Sequence, residues 1–203
     1  MPEPSSRKQQ ILEALATMLE QTPGGRITTS GLAKQVGVSE AALYRHFPSK
    51  AKMLEELIEF IEETIFSRIH RIMSESQSAE NRCEQTINLL LTFAARNPGI
   101  TRILTGDPLA GETDRLRTRV AQFFERLETQ LRQFLREAEL REGAAPRIDV
   151  DVAANLMLSF AEGKVSQFVR SDFSRSPTQD WERVWPVISQ AVFGRTGTEP
   201  GSY

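Results

Sequence analysis

Two short helical patterns separated by one glycine occupy residues 27–50, and no other stretch of the 203-residue chain constrains its architecture as tightly. Thr29 is a candidate N-cap for a helix whose Leu32, Ala33 and Val36 share one face, because residues three and four apart lie on the same helical stripe. Gly37 sits four residues after Ala33, where it can take the left-handed conformation that a sharp turn needs. The small Ala33 lets a second helix approach closely. Ser39 restarts the chain as a second N-cap, and Leu43 and Phe47, four apart, return to the interior. What remains outward on this second helix is Ser39, Glu40, Ala41, Ala42, Tyr44, Arg45 and His46.

That pattern is a helix-turn-helix, whose second helix lies in the major groove of DNA. Small side chains near its start permit close approach to base edges, while Tyr44, Arg45 and His46 reach phosphates or bases. Lys50, just past Ser49 at the next helix start, adds a charge and free backbone N–H groups for a phosphate. Thr28 and Thr29, at the start of the first helix, complete the candidate DNA-contacting set. The bland alternative is a helical hairpin with a polar face. The joint spacing of Ala33, Gly37, Ser39 and Leu43, followed by Tyr44, His46, Phe47 and Lys50, argues against it.

A net charge of −2 looks wrong for a DNA-binding protein until it is divided along the chain. Residues 1–52 hold seven Lys and Arg against four Glu, a balance of +3, and the remainder carries −5. The basic footprint is local and modest, with only Arg7 and Lys8 near the N-terminus, so a dimer that doubles it is expected. The single cysteine, Cys83, excludes an intrachain disulfide framework and suits a reducing cytosol, where its expected role is packing. The apolar stretch from Ile87 to Ala95 is interrupted by Asn88 and Thr92 and falls well short of the roughly 20 residues of a membrane span. With no apolar signal segment at the N-terminus, a cytoplasmic protein is expected.

All clear periodicity is helical, so an all-α fold is expected. Ser6, with Gln9 three residues later, opens a first helix bearing Ile11, Leu12, Leu15, Ala16 and Leu19. Pro48 and Ser49 begin a long helix with Leu54, Leu57, Ile58, Ile61, Ile65, Ile69 and Ile72 along one seam. Further helices are expected near 80–96, 98–105, 112–141, 149–172 and 178–193, separated by turn-forming runs such as Asn97-Pro98-Gly99 and Ser176-Pro177. The division expected is a DNA-binding head, residues 1–52, a helical body, 53–194, and a disordered tail, 195–203.

Nothing in the chain assembles a catalytic, metal or cofactor signature. His46 and His70 are the only histidines, lie far apart and have no cysteine pair nearby, and the glycines do not build a phosphate loop. Neither an enzyme nor a bound cofactor is expected.

On the long helix, Phe60, Thr64 and Arg68 stand at i, i+4 and i+8, rotated away from the isoleucine seam by about 100°. On the following helix Leu89, Phe93, Arg96 and Asn97 share a stripe. If the two helices are neighbours, these faces border a groove with an apolar floor and two arginines, suited to a short peptide bearing hydrophobic and carboxylate groups. Core packing is the competing role for Leu89 and Phe93, and a polar rim or helix cap is the competing role for Arg68, Arg96 and Asn97.

A three-helix N-terminal head with this motif followed by a larger helical body resembles the TetR family. That resemblance implies a homodimer formed through the last two long helices, with two reading heads spaced along a palindromic DNA site. The matching segments here carry Val152, Leu156, Met157, Phe160, Val165, Phe168, Val169 and Phe173, then Trp181, Val184, Trp185, Ile188, Val192 and Phe193. Leu156, Phe160, Phe168, Trp185 and Ile188 are the expected interface residues, with intramolecular core as the alternative for each.

A narrower similarity lies in Leu57-Ile58-Glu59-Phe60-Ile61-Glu62, Arg96-Asn97-Pro98-Gly99, Thr101-Arg102-Ile103-Leu104-Thr105-Gly106, Gln130-Leu131-Arg132-Gln133, Leu135-Arg136-Glu137 and Phe168-Val169-Arg170-Ser171. These runs, with residues 27–50, are similar to the nucleoid occlusion branch of the family. The similarity implies a protein associated with the nucleoid, bound to specific sites as one or more dimers, that captures the C-terminal tail of FtsZ and antagonises division-ring assembly. It implies that Phe60, Arg68, Leu89, Arg96 and Asn97 form the groove for that tail. The wider family instead suggests a ligand-responsive transcriptional repressor, which is the competing expectation.

Overall fold

In the computed structural model, residues 6–22, 25, 27–76, 78–109, 114–143 and 145–194 are described, and helices account for their regular structure. The expected tail, residues 195–203, lies outside them. The head comprises α1 (Arg7–Gln21), α2 (Thr29–Val36) and α3 (Glu40–His46). Ser6 caps α1 by accepting from the Gln9 N–H, Ser39 caps α3 through Ala42, and Ser49 caps α4 (Lys50–Glu75) through Lys52. The cap of α2 is Thr28, which accepts from Gly31, and Thr29 is the first helical residue; this corrects the expected Thr29 cap by one position. Two adjacent threonines offer the same hydroxyl, and the extended backbone of Thr28 decides between them.

Gly37 adopts φ 74°, the left-handed turn between α2 and α3. Leu15, Leu19, Leu32, Leu43 and Phe47 then close a core that Met53 and Leu54 share from the first turn of α4. The helix α4 runs unbroken through the expected head–body division at 52/53. Its seam, Leu54 through Ile72, is buried throughout.

The body is α5 (Ala79–Arg96), α6 (Pro98–Leu104), α7 (Asp114–Glu137), α8 (Val150–Arg170) and α9 (Trp181–Phe193). Ion pairs fix the directions. Arg115 and Arg119 of α7 meet Glu55 and Glu62 of α4, so these two helices both run away from the head. Arg82 at the start of α5 meets Glu137 at the end of α7, 2.8 Å away, so α5 runs back toward the head. Helix α7 widens into a π turn over Ala138–Glu142 and stops at Gly143, φ 63°.

Short α6 ties the body to the head. Gly99 lies so close to α1 that a Cβ there would stand 2.0 Å from the Ala16 carbonyl oxygen. Arg102, 1% exposed, donates to the carbonyls of Leu19 (2.6 Å) and Thr22 (2.7 Å) at the end of α1 and pairs with Asp107. A buried guanidinium is tolerated because its donors are met by carbonyls and a carboxylate.

Candidate functional site

Residues 39–46 present the surface expected of a reading helix. Ser39, Glu40, Ala41, Tyr44, Arg45 and His46 are exposed and Ala42 is half-buried, while Leu43 and Phe47 are fully buried beneath them. A chain of long hydrogen bonds crosses from α3 to α2. The Tyr44 hydroxyl donates to Thr29 Oγ1 and the Thr29 hydroxyl donates to Glu40 Oε2, both at 3.3 Å. At that length these bonds orient the side chains weakly, leaving Tyr44 and Thr29 available to another acceptor.

Arg7 and Lys8 stand in the first turn of α1. Lys8 is held 2.7 Å from Glu56 of α4 and above the Phe47 ring, so it fastens α1 to α4. The helix that carries Lys50 is anchored one turn later at Glu55. Its carboxyl is held below its ordinary value by the hydrogen bond from Lys52 and then by the charges of Arg115 and Lys52, against the opposing effect of burial.

The second set of residues also converges. Phe60, Thr64 and Arg68 of α4, with Leu89, Thr92, Phe93 and Arg96 of α5 and the following Asn97, line one cleft of about 200 Å³. Phe93 is buried and forms the floor, and the Phe60 ring, 45% exposed, stands tilted 6.2 Å from it. Because α4 and α5 are antiparallel and Phe60 lies level with Phe93, Arg96 stands at the head end of the cleft. Arg68 is about two turns farther out along α4. Neither arginine has an ion-pair partner among the described residues. Asn97 donates to the Phe93 carbonyl at 2.8 Å, so it also serves as the cap of α5 that sequence left open. Thr92, outside the expected set, belongs to the rim; its i+3 spacing from Leu89 was the available signal.

The body's last two helices divide the expected interface residues. Phe168, Trp185 and Ile188 are buried inside the chain at 4%, 5% and 9% exposure, whereas Leu156 is exposed and Phe160 half-buried. The apolar side chains left outward are Val152 and Leu156 of α8 and Val187 of α9. Arg102 escaped sequence reasoning, because its partners in α1 are about 80 positions away. Among the described residues no group of His, Cys, Asp and Glu is arranged to hold a metal ion. No helix among them is long and apolar enough to cross a membrane.

Comparison with known proteins places both halves. Residues 11–57 match the model of the bacterial regulatory proteins of the tetR family, and residues 76–192 match the SlmA-like C-terminal domain of tetracyclin repressor-like proteins. The nucleoid occlusion factor SlmA of Shewanella pealeana is 57% identical over 187 residues, 92% of this chain and 95% of that protein. SlmA of Alteromonas mediterranea is 56% identical over 186 residues, with the same coverage of each. Among solved structures, the TetR family transcriptional regulator PfmR from Thermus thermophilus superposes with a TM-score of 0.73 at 21% identity, covering 88% of this chain and 96% of its own, which shows the shared fold. The chain belongs to the TetR family and, within it, to the SlmA nucleoid occlusion factors.

Proposed function

We propose that the protein binds specific palindromic DNA sites as a homodimer and, so placed on the nucleoid, holds the C-terminal tail of FtsZ in the α4–α5 cleft and antagonises division-ring assembly there. The observation that carries this reading is the cleft itself: an exposed Phe60 facing Phe93, with Arg68 and Arg96 unpaired at its two ends. Exposing an aromatic ring beside desolvated apolar neighbours stabilises nothing in the free protein. The same arrangement gives an apolar anchor and two carboxylate-binding groups to a peptide.

In this reading Thr28, Thr29, Ser39, Glu40, Ala41, Ala42, Tyr44, Arg45, His46 and Lys50 meet DNA. Small Ala41 and Ala42 permit approach to base edges, and the rest contact phosphates or flanking bases. The dimer contact falls on the outward faces of α8 and α9, where Val152, Leu156, Phe160 and Val187 stand, with Phe168, Trp185 and Ile188 supporting that face from within. A regulator that responds to a small apolar ligand needs an enclosed volume of roughly 300 Å³ or more. Here Phe123, Leu131, Phe134, Met157 and Leu158 pack the interior between α7 and α8, which supports the first reading.

The test is titration of a labelled FtsZ tail peptide onto the protein with and without DNA selected by it from a random pool. Saturable binding that strengthens with DNA is expected; no binding in either condition would overturn the proposal.

A further inference from the structure

The last turn of α8 and the segment after it carry a charge cluster that neither surface above uses. Gln167, Arg170, Ser171, Ser174 and Arg175 line a cleft of about 410 Å³. Two guanidiniums border it and no carboxylate does; Asp172, in the same turn, lies outside its lining. Both arginines are exposed, and neither has an ion-pair partner among the described residues.

The backbone takes an uncommon conformation to bring them together. Asp172 and Phe173 are successive non-glycine residues in the left-handed region, φ 48° and 62°. The Phe173 N–H donates to the Phe168 carbonyl at 2.9 Å and the Asp172 N–H to the Val169 carbonyl at 3.1 Å, the pair of bonds that closes a helix end. The Phe173 ring packs edge-on against Phe168, centroids 5.2 Å apart. A helix end of this kind needs one left-handed residue, usually a glycine. The second, Phe173, folds the chain back, and the Ser171 hydroxyl then accepts from the Arg175 N–H at 3.0 Å while the Ser174 hydroxyl donates to the Ser171 carbonyl at 2.8 Å. Both hydroxyls are engaged in holding the turn, which leaves the two guanidiniums and the Gln167 amide to meet a ligand. The attraction of a cation to a helix C-terminus accounts for Arg170 alone, since Arg175 lies beyond the helix.

The cluster stands at the head end of the body. Asp151 of α8 pairs with Arg132 of α7 at 2.8 Å and Asn155 donates to Glu128 at 3.5 Å, so α8 runs antiparallel to α7 and back toward the head. At about 1.5 Å per residue, Arg170 reaches the level of Asp114, the first residue of α7. The adjoining Arg115 pairs with Glu55 in the second turn of α4, so Arg170 lies close to the level of Lys50. In the homodimer of the reading above, this end of α8 lies between the two heads.

We propose that Arg170 and Arg175 form a phosphate clamp on the body, which holds the DNA backbone at the centre of the site, between the two stretches that the heads cover. Paired guanidiniums on a fixed turn suit the oxygens of a phosphate diester and read no sequence. The inference rests on the DNA-binding reading above.

The experiment measures binding of the full chain to a duplex that it selects from a random pool, across a range of salt concentrations. Arg170→Gln/Arg175→Gln is expected to lose about tenfold in affinity at low salt and to flatten the dependence of log affinity on log salt by about two, one phosphate contact from each protomer. The selected sequence should stay the same, and Arg170→Lys/Arg175→Lys should restore the slope. Methylphosphonates in place of the central phosphates should weaken the parent and leave the Gln variant unaffected; this arm on the parent alone decides the matter if the Gln variant has a lowered Tm. An unchanged slope, or a parent indifferent to the central phosphates, overturns the inference, while DNA binding that is lost in Tyr44→Ala sustains the heads. A parent that binds no DNA overturns the DNA-binding reading itself. If the Gln variant keeps its DNA affinity but loses an FtsZ tail peptide, or sediments differently from the parent, the pair serves an acidic peptide or a contact between copies and the inference falls.

Discussion

On α3 the outward residues are polar or small and stand on a helix whose inner side is closed by Leu43 and Phe47, both fully buried. On α4 and α5 the outward residues include an aromatic ring, 45% exposed, over a cleft floored by a second one. The head is thus complete in water, its Tyr44, Thr29 and Glu40 bonded loosely to one another. The cleft is incomplete in water, because Phe60 is left 45% exposed and Arg68 and Arg96 have no ion-pair partner among the described residues. On the proposed reading the difference follows what each region is built to meet: a charged, hydrated polymer at one end and a short apolar–acidic segment along the side. It also separates the two in mutational space, since neither surface contributes much to the stability of the fold.

The strongest way to break the comparison is to cut the link between the regions. Arg102 joins α6, which begins beside the cleft at Pro98, to the carbonyls that end α1. Arg102→Met keeps much of the volume but strands those two carbonyls and Asp107. The expected cost is about 2–3 kcal/mol, or roughly 5–10 °C in Tm for a chain of this size, read by calorimetry. An unchanged Tm would mean that the Arg102 contacts do not hold the head to the body.

A smaller effect is expected from Tyr44→Phe, which removes one hydroxyl from the reading surface and leaves the core untouched. DNA affinity should fall about fivefold with tail binding and Tm preserved. Equal affinity would show that the ring, and not the hydroxyl, is what DNA meets. The smallest effect is expected from pH. The Glu55 carboxyl is held below its ordinary value when folded, so its stabilising contribution is present above the unfolded value of about 4.3 and is lost as pH falls through the lower folded value. Glu55→Gln should therefore flatten the acid limb of the Tm profile, by roughly 2 °C between pH 5 and pH 3; parallel profiles would remove Glu55 from the head–body contact.

Much of this was legible in sequence where the cause is local. A serine three residues before a donor N–H marks the starts of α1, α3 and α4, and Gly37 marks the turn, because caps and left-handed turns are set by neighbours in the chain. The cleft was legible for a related reason: two stripes at helical spacing define two faces, and a connection as short as residues 76–78 makes α4 and α5 adjacent. Arg102 was hidden because its burial depends on α6 packing into α1 from about 80 positions away. Phe168, Trp185 and Ile188 could not be told from interface residues, since α8 and α9 are apolar on more than one face and periodicity does not say which face meets the chain's own core. The π turn at Ala138–Glu142 left no mark that distinguishes it from an ordinary helix end.

The central claim is that two separable surfaces act on two partners, and the most direct test places both partners on the same two variants. Binding of selected DNA and of an FtsZ tail peptide is measured for Phe60→Ala and for Tyr44→Ala, each with its Tm. The account predicts that Phe60→Ala loses at least about tenfold in tail affinity with DNA binding unchanged, and that Tyr44→Ala weakens DNA binding while the DNA-free protein takes the tail peptide as the parent does. Loss of both activities in either variant at an unchanged Tm, or tail binding indifferent to Phe60→Ala, would contradict it.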